Sequence, residues 1–275
     1  IKVVASFFPL YDFARNVAGD RADVSVFIPA GIEPHDWEPT PQSIAEAESA
    51  DVLVYNGAGF ESWIAEINSE NAVDSSRDIE FLAATEEHEG EEEEHEGEEL
   101  DPHVWLDPVL AKHQVNMIRD GLAKADPANA QYYADNAARY SAELDQLDAQ
   151  IKSELSSCEK ADFIAFHSAF SYFANRYGLT QHAIQGVAPE GEVLPQRIQE
   201  IKDLAVELGI DTIYSEELVD PRLAEVIASE IPDGRVLVLS PLEGLEEEEE
   251  RNGAGYLDKM QDNLENLKVG LKCTQ

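Results

Sequence analysis

The sequence predicts an α/β protein of two lobes, each with a parallel sheet flanked by helices, joined by one long rigid helix. In both halves of the 275-residue chain, short apolar segments alternate with helical ones, which is typical of βαβ units. Between the halves, about thirty residues without glycine or proline carry one apolar face at helical spacing. The length suits two ordinary domains. We expect the first lobe at residues 1–126, the linking helix at 127–157 and the second lobe at 158–275.

The first predicted lobe alternates strands and helices from its first residues. Strands are predicted in KVVAS, ADVSVFI and DVLVYNGAG, and helices in YDFARNVAG, IAEAESA and FESWIAEIN. A loop rich in glycine and proline, PAGIEPHDWEPTPQS, follows the second strand. Loops that follow the strands of a parallel sheet line its ligand crevice, so this loop is a candidate binding element.

The linking segment, residues 127–157, reads as one helix that begins at Pro127. At 1.5 Å per residue it would be about 45 Å long and would act as a stiff spine with little room for a wide hinge motion. Two helices with a bend would fit the same pattern, but no glycine or proline marks one. The apolar face recurs every three or four residues and comprises Tyr133, Ala137, Tyr140, Leu144, Leu147, Ile151 and Leu155.

The second lobe repeats the same alternation. Strands are predicted in DFIAFH, DTIYSE and RVLVLS, and helices in SAFSYFANRYG, PQRIQEIKDLAVELG, PRLAEVIASEIP and YLDKMQDNLENLKVGL. The chain's two cysteines, Cys158 and Cys273, lie near the ends of this lobe. They are either two buried thiols or one disulfide, and a disulfide would imply an oxidising compartment.

The charge balance narrows the class of partner. The formal net charge of −38 argues against nucleic acid and anionic membrane surfaces, which need basic patches, and permits cationic ligands. No apolar run approaches the roughly 20 residues needed to span a bilayer. The chain starts directly with a strand and a helix, so it is either cytosolic or has lost a targeting segment.

Three histidines share a context that suits a metal. His35 lies in the loop after the second strand, His167 lies where a strand gives way to a helix, and His103 begins the segment before the spine. A lone histidine after a strand is more often structural, but three imidazoles that meet in one cleft would suit zinc. Asp36 and Asp107 are predicted to orient imidazoles as hydrogen-bond acceptors.

Two further histidines are interpreted as structural. His113 lies within a predicted helix and His182 in a weak strand.

Three motifs together resemble a known family. GIEPHDWEPTP, DPHVWLDP and FHSAFSYFANRYG are similar to the zinc and manganese class of ABC-importer solute-binding proteins, the ZnuA-like family, and the resemblance extends over essentially the whole chain. It implies Zn²⁺ in a cleft between two lobes, with His35, His103 and His167 as ligands. Manganese members of the family carry glutamate at the third position, so His167 indicates a zinc-type member.

The chain departs from that family at the fourth ligand. Many members place an aspartate at the end of the last strand, where this chain has Ser240 and Pro241. Glu33, two residues before His35, or a water molecule could fill the position. Glu216 and Glu243 are more remote candidates for the fourth ligand, and they are better interpreted as solvated loop carboxylates.

An acidic repeat precedes the second histidine motif. Residues 86–99 are the heptapeptide EEHEGEE written twice, with ten glutamates and two histidines, His88 and His95. Like charges this dense repel one another, so we expect disorder in the metal-free protein. The segment is either a solvated spacer or a weak zinc collector, and the resemblance implies a metal-rich acidic loop at this place.

The predicted function is therefore capture of Zn²⁺ outside the cytoplasm and its delivery to an ABC importer permease. We expect a monomer in the periplasm or at the cell surface, tethered there if the removed segment carried an anchor, with no nucleic acid or small organic substrate as partner. One alternative is a zinc-dependent hydrolase with an open three-histidine site, although HExxH and GxSxG motifs are absent. The other is a surface adhesion protein.

Overall fold

The computed structural model describes residues 1–35, 37–84, 100–189, 191 and 193–274. The chain forms two compact units. The first comprises residues 1–80, 107–149 and 242–259, and the second comprises 81–106, 150–241 and 260–275. The domain boundaries expected from the sequence stay a prediction, because compactness alone does not define a folding domain.

The first unit is built on a parallel sheet. Within the described residues this sheet has four strands in the order β2-β1-β3-β4, namely β1 (Lys2–Ala5), β2 (Asp23–Val26), β3 (Val52–Tyr55) and β4 (Ala72–Asp74). Val3 pairs with Val24 on one side and with Val52 on the other. The central strands are apolar and buried, as parallel strands covered on both faces must be. Its helices are α1 (Phe8–Ala18), α2 (Pro41–Glu48), α3 (Pro108–Ala125) and α8 (Glu247–Asn252).

The second unit repeats the architecture. Its parallel sheet, again four-stranded within the described residues, has the order β6-β5-β7-β8, from β5 (Asp162–Ala165), β6 (Thr180–Ala183), β7 (Thr212–Ser215) and β8 (Arg235–Val238). Its helices are α5 (Ser171–Tyr177), α6 (Pro195–Leu208) and α7 (Arg222–Ser229), together with most of α9 (Tyr256–Gly270). Isoleucines from β5, β7, α6 and α7 form its core.

One long helix carries the chain from the first unit to the second. Helix α4 runs Ala130–Leu155 after a short 3-10 turn, Pro127–Asn129, and its 26 residues correspond to about 39 Å. All seven apolar residues that predicted this helix are buried. The predicted fold class is confirmed, and the alternative of two helices with a bend is wrong.

A buried cluster of hydrogen bonds connects three helices within the first unit. Asp12 of α1 is 4% exposed, and its carboxylate accepts hydrogen bonds from Tyr140 Oη of α4 at 2.9 Å and from Tyr256 N of α9 at 3.3 Å. Burial raises the pKa of Asp12. A buried carboxylate needs such partners because desolvation disfavours its charge.

Cys158 and Cys273 form a disulfide across a sequence separation of 115 residues. This bridge confirms the disulfide, one of the two alternatives that the sequence left open. It links the segment before β5 to the segment after α9. No helix among the described residues combines the length and the apolar character that crossing a bilayer requires.

Some predictions differ from the structure, and others fall outside the described residues. The helix predicted in FESWIAEIN is only a short 3-10 helix, Ser62–Glu66, and strand β4 was not predicted. Asp36 and the acidic repeat at 86–99, with His88 and His95, lie outside the described residues.

Candidate metal centre

Two of the predicted ligands meet in the second unit. His167 follows β5, and His103 precedes a 3-10 turn, Val104–Leu106. Both side chains are fully buried, and their Nε2 atoms are 3.3 Å apart. A tetrahedral zinc with bonds of 2.0–2.1 Å holds two nitrogen ligands about 3.3 Å apart. The pair therefore has the spacing that one zinc ion requires.

Asp101 fixes the ring of His103. Its Oδ1 lies 2.8 Å from His103 Nδ1 and accepts a hydrogen bond from His103 N at 2.9 Å. Tyr172 Oη donates to the Asp101 backbone oxygen at 2.7 Å. Trp105 packs against the imidazole at 5.0 Å between ring centroids and donates its Nε1–H to Pro241 O at 2.7 Å. The imidazole is thus held from two sides.

Glu216 holds His167 in the same way. It directly follows β7 and is 5% exposed. Its Oε1 lies 2.7 Å from His167 Nδ1 and accepts from His167 N at 3.2 Å. A carboxylate at Nδ1 keeps the proton on that nitrogen and leaves the Nε2 lone pair for a metal. Both imidazoles of the second unit are therefore prepared as Nε2 ligands.

The first unit contains a second pair, made by His35 and Glu243. His35 Nε2 lies 3.1 Å from Glu243 Oε1, and Glu243 is 4% exposed. Two features bring the pair together: Gly31 N donates to Leu245 O at 2.8 Å, and Leu242 turns the chain with φ of 59°. A nitrogen and an oxygen at this distance also match two corners of a tetrahedral zinc site.

The carboxylates require one correction to the sequence analysis. Glu216 and Glu243 are buried beside imidazoles, so their interpretation as solvated loop carboxylates is wrong. Glu33, the predicted fourth ligand, accepts a hydrogen bond from His35 N through Oε2 at 2.8 Å and so closes the turn before the histidine. Its role as a ligand stays a prediction.

The remaining candidates are structural. His113 lies in α3 with Nε2 2.7 Å from Arg77 O, and His182 lies in β6 with Nε2 2.9 Å from Asp162 Oδ1, as predicted. Asp107 caps α3, because its Oδ1 accepts from Val109 N at 2.8 Å, and its predicted role in orienting an imidazole stays a prediction.

Sequence reasoning missed Asp101, and it ranked Glu216 and Glu243 only as remote candidates for the fourth ligand. Glu216 had a usable signal: it follows β7, which pairs with β5 beside His167, and carboxyl ends of adjacent parallel strands lie together. That signal becomes usable only once the strand order is known, and the strand order is not visible in the sequence. Asp101 stands two residues before His103, in the motif DPHVWLDP.

A parallel α/β unit with two buried imidazoles, each with a carboxylate at its Nδ1 atom, is typical of a metal-binding protein. The family model described as "Zinc-uptake complex component A periplasmic", ZnuA, matches residues 3–270, and the chain belongs to this family.

Named relatives agree with this family. The high-affinity zinc uptake system protein ZnuA of Bacillus subtilis is 40% identical over 280 residues, which cover 98% of this chain and 88% of that protein. The zinc-binding lipoprotein AdcA of Streptococcus pneumoniae is 36% identical, but the chain spans only 55% of its length.

Solved structures agree as well. The Zn(II)-bound ZnuA-like domain of Streptococcus pneumoniae AdcA is similar with a TM-score of 0.83 and 34% identity over 98% of both chains. The laminin-binding protein Lmb of Streptococcus agalactiae, described as bifunctional with adhesin and metal-transporting activity, has a TM-score of 0.88 and 32% identity, over 98% of this chain and 99% of that one.

Family membership confirms the predicted class of protein, the extracytoplasmic solute-binding component of a zinc-uptake system. Proteins of this family work with the permease and ATPase of an ABC importer.

Proposed function

We propose that His35, His103, His167 and Glu243 together bind one Zn²⁺ and that the chain carries this ion, as a monomer, to its importer. The observation that supports this most directly is the spacing within the two pairs, 3.3 Å between His103 and His167 and 3.1 Å between His35 and Glu243. Each pair offers two ligands, and zinc in proteins takes four in a closed tetrahedral site.

The donor atoms favour zinc over harder cations. Three imidazole nitrogens and one carboxylate oxygen suit Zn²⁺, whereas manganese and magnesium prefer sites dominated by oxygen. Two relatives with zinc in their names share the family.

Four protein ligands also favour carriage over catalysis. A catalytic zinc keeps one position open for water or substrate, whereas three imidazoles and Glu243 would fill the coordination sphere. A hydrolase would need that open position, whereas binding and delivery of the ion need none.

Metal stoichiometry and affinity test the proposal. The metal-free chain is titrated with Zn²⁺ against a chelator of known affinity, and bound metal is counted by native mass spectrometry. We expect one tightly bound ion per chain, lost both in His35→Ala/Glu243→Ala and in His103→Ala/His167→Ala. If each double variant keeps a tight ion, the pairs bind separate ions and the proposal is wrong.

A further inference from the structure

The turn that follows β3 has an unusual backbone. Gly57, Ala58 and Gly59 have φ of 89°, 53° and 81°, so three consecutive residues adopt positive φ. For Ala58 this left-handed conformation brings Cβ too close to the backbone and costs free energy. Such a turn persists only where surrounding contacts determine it.

A buried carboxylate supplies those contacts. Glu61 is 3% exposed and accepts hydrogen bonds from Asn56 N at 2.7 Å, Gly57 N at 3.1 Å and Ser6 Oγ at 2.6 Å. Successive backbone N–H groups of this kind form a concavity that binds an anion. Burial raises the pKa of Glu61 to about 7, because desolvation disfavours the charged form of the carboxylate.

The turn presents an aromatic ring to the first unit's zinc ligand. Phe60 meets the His35 imidazole edge-on, with ring centroids 5.1 Å apart and an interplanar angle of 82°. Phe7 backs the Phe60 ring at 4.7 Å. Edge-to-face contacts at this distance are favourable and directional, so they fix the orientation of the imidazole as well as its place.

The residues after Glu61 hold the other side of the histidine loop. Trp63 packs against Trp37 at 5.7 Å between ring centroids and against Phe27 at 4.8 Å. Trp37 stands two residues after His35, and Phe27 directly follows β2 at the start of the same loop. Glu61 thus lies between the two aromatic residues that contact the loop, Phe60 and Trp63.

We propose that Glu61 is a positioning residue for His35: its carboxylate holds the strained turn in the one arrangement that places Phe60 and Trp63 against the histidine loop. This inference rests on the proposed function, since it concerns the orientation of one zinc ligand. Glu61 binds no metal itself; it acts through the aromatic contacts.

Glu61→Gln tests this role with little change of shape. The amide keeps one acceptor oxygen but sets an N–H₂ group against one of the N–H donors, so one hydrogen bond to the turn is lost. We expect Zn²⁺ to bind about tenfold more weakly, which is the usual value of one such bond. We also expect the visible absorption of the Co²⁺-loaded protein to change, because the d–d bands report ligand geometry.

Asp12→Asn is the matched control. Asp12 is another buried carboxylate of the first unit with a raised pKa, and it accepts hydrogen bonds from residues of α1, α4 and α9. We expect this variant to melt at a lower temperature and to keep both the zinc affinity and the Co²⁺ spectrum of the parent. Phe60→Leu, which keeps an apolar side chain without the ring edge, should shift the spectrum in the same direction as Glu61→Gln.

Each result decides one point. Parental affinity and spectrum in Glu61→Gln, or a parental spectrum in Phe60→Leu, would overturn the inference. Equal weakening by Glu61→Gln and Asp12→Asn would reduce Glu61 to a general stabilising residue and overturn it too. Failure of the parent chain to bind Zn²⁺ would instead refute the proposed function, whatever the variants do.

Discussion

The two units present their proposed zinc ligands in different ways. In the second unit His103 and His167 are fully buried, and each Nδ1 is held by a carboxylate. In the first unit His35 lies on a loop with its side chain 10% exposed, and its ring is oriented by the edge of Phe60. Direct hydrogen bonds to a ring nitrogen fix a ligand more firmly than aromatic packing does. The second unit's pair is therefore preorganised, whereas the first unit's pair depends on the order of its loop.

The disulfide gives the largest expected difference between the units, because it closes a long loop of the second unit. Replacing both cysteines, Cys158→Ser and Cys273→Ser, should lower the free energy of unfolding by about 4–5 kcal/mol in the chain-entropy model. Urea unfolding of the metal-free protein measures it. The parent treated with a thiol reductant should behave like the variant, and an unchanged midpoint in both would contradict this stabilisation.

Ligand removal should also distinguish the units. A structural zinc contributes ~10–16 kcal/mol through four ligands, so losing His167 should weaken binding about 100- to 1000-fold. His35→Ala should cost less, because the His35 ring is oriented by aromatic packing rather than by a carboxylate at Nδ1. Competition with a chelator measures both affinities, and His182→Gln, which alters a structural histidine, should change nothing. A larger loss for His35→Ala would refute the preorganised second unit.

The stability of the first unit should depend on pH through Glu61. Burial raises its pKa from 4.5 to about 7, so the folded state holds its proton more tightly than the unfolded state. Its contribution to stability is therefore fully present below the ordinary pKa of 4.5 and is lost as pH rises through about 7, by about 3 kcal/mol in total. Urea unfolding of the metal-free parent and of Glu61→Gln between pH 5 and 8 measures this dependence. If both free energies of unfolding change in parallel, Glu61 is not responsible.

The carboxylates at Nδ1 should have a smaller effect than the ligands that they orient. Asp101→Asn and Glu216→Gln should each weaken zinc binding about 10- to 100-fold, as partners of metal-bound histidines typically do. Glu217→Gln is the control, since Glu217 neighbours Glu216 in sequence but accepts a hydrogen bond from Ser240. An equal loss from the Glu216 and Glu217 variants would mean that the effect is not one of ring orientation.

The sequence predicted the elements whose apolar residues repeat at regular spacing. Alternating apolar segments indicated both sheets, and the apolar face of residues 133–155 indicated α4 because a long helix repeats its pattern many times. The strand β4, Ala72–Asp74, pairs with β3 at the edge of its sheet and is too short to show a period.

Of the candidate site, the sequence indicated the three histidines and ranked Glu216 and Glu243 only as remote candidates. Glu243 becomes a partner of His35 through the turn at Leu242 and the bond from Gly31 to Leu245, and neither is visible as a motif. Glu216 reaches His167 because β5 and β7 are neighbours, which depends on strand order. Contacts of this kind arise from tertiary structure, so residue type and spacing alone do not reveal them.

The acidic repeat should have the smallest effect on tight binding. Residues 86–99 contribute ten glutamates and two histidines, which raise the local concentration of cations. The described residues that flank it are close, since Ala83 and Leu100 form a β-bridge, so a short glycine–serine linker can replace residues 86–99. We expect unchanged affinity for the tight ion, loss of weakly bound ions, and slower capture at low salt. Stopped-flow mixing with Zn²⁺ at two salt concentrations measures the capture rate. The double variant His88→Gln/His95→Gln keeps the negative charge of the repeat and removes its imidazoles. It therefore shows whether the capture rate depends on the glutamates or on the histidines.

Loss of the tight ion on deletion, or an unchanged capture rate together with unchanged total stoichiometry, would refute a collecting role for the repeat.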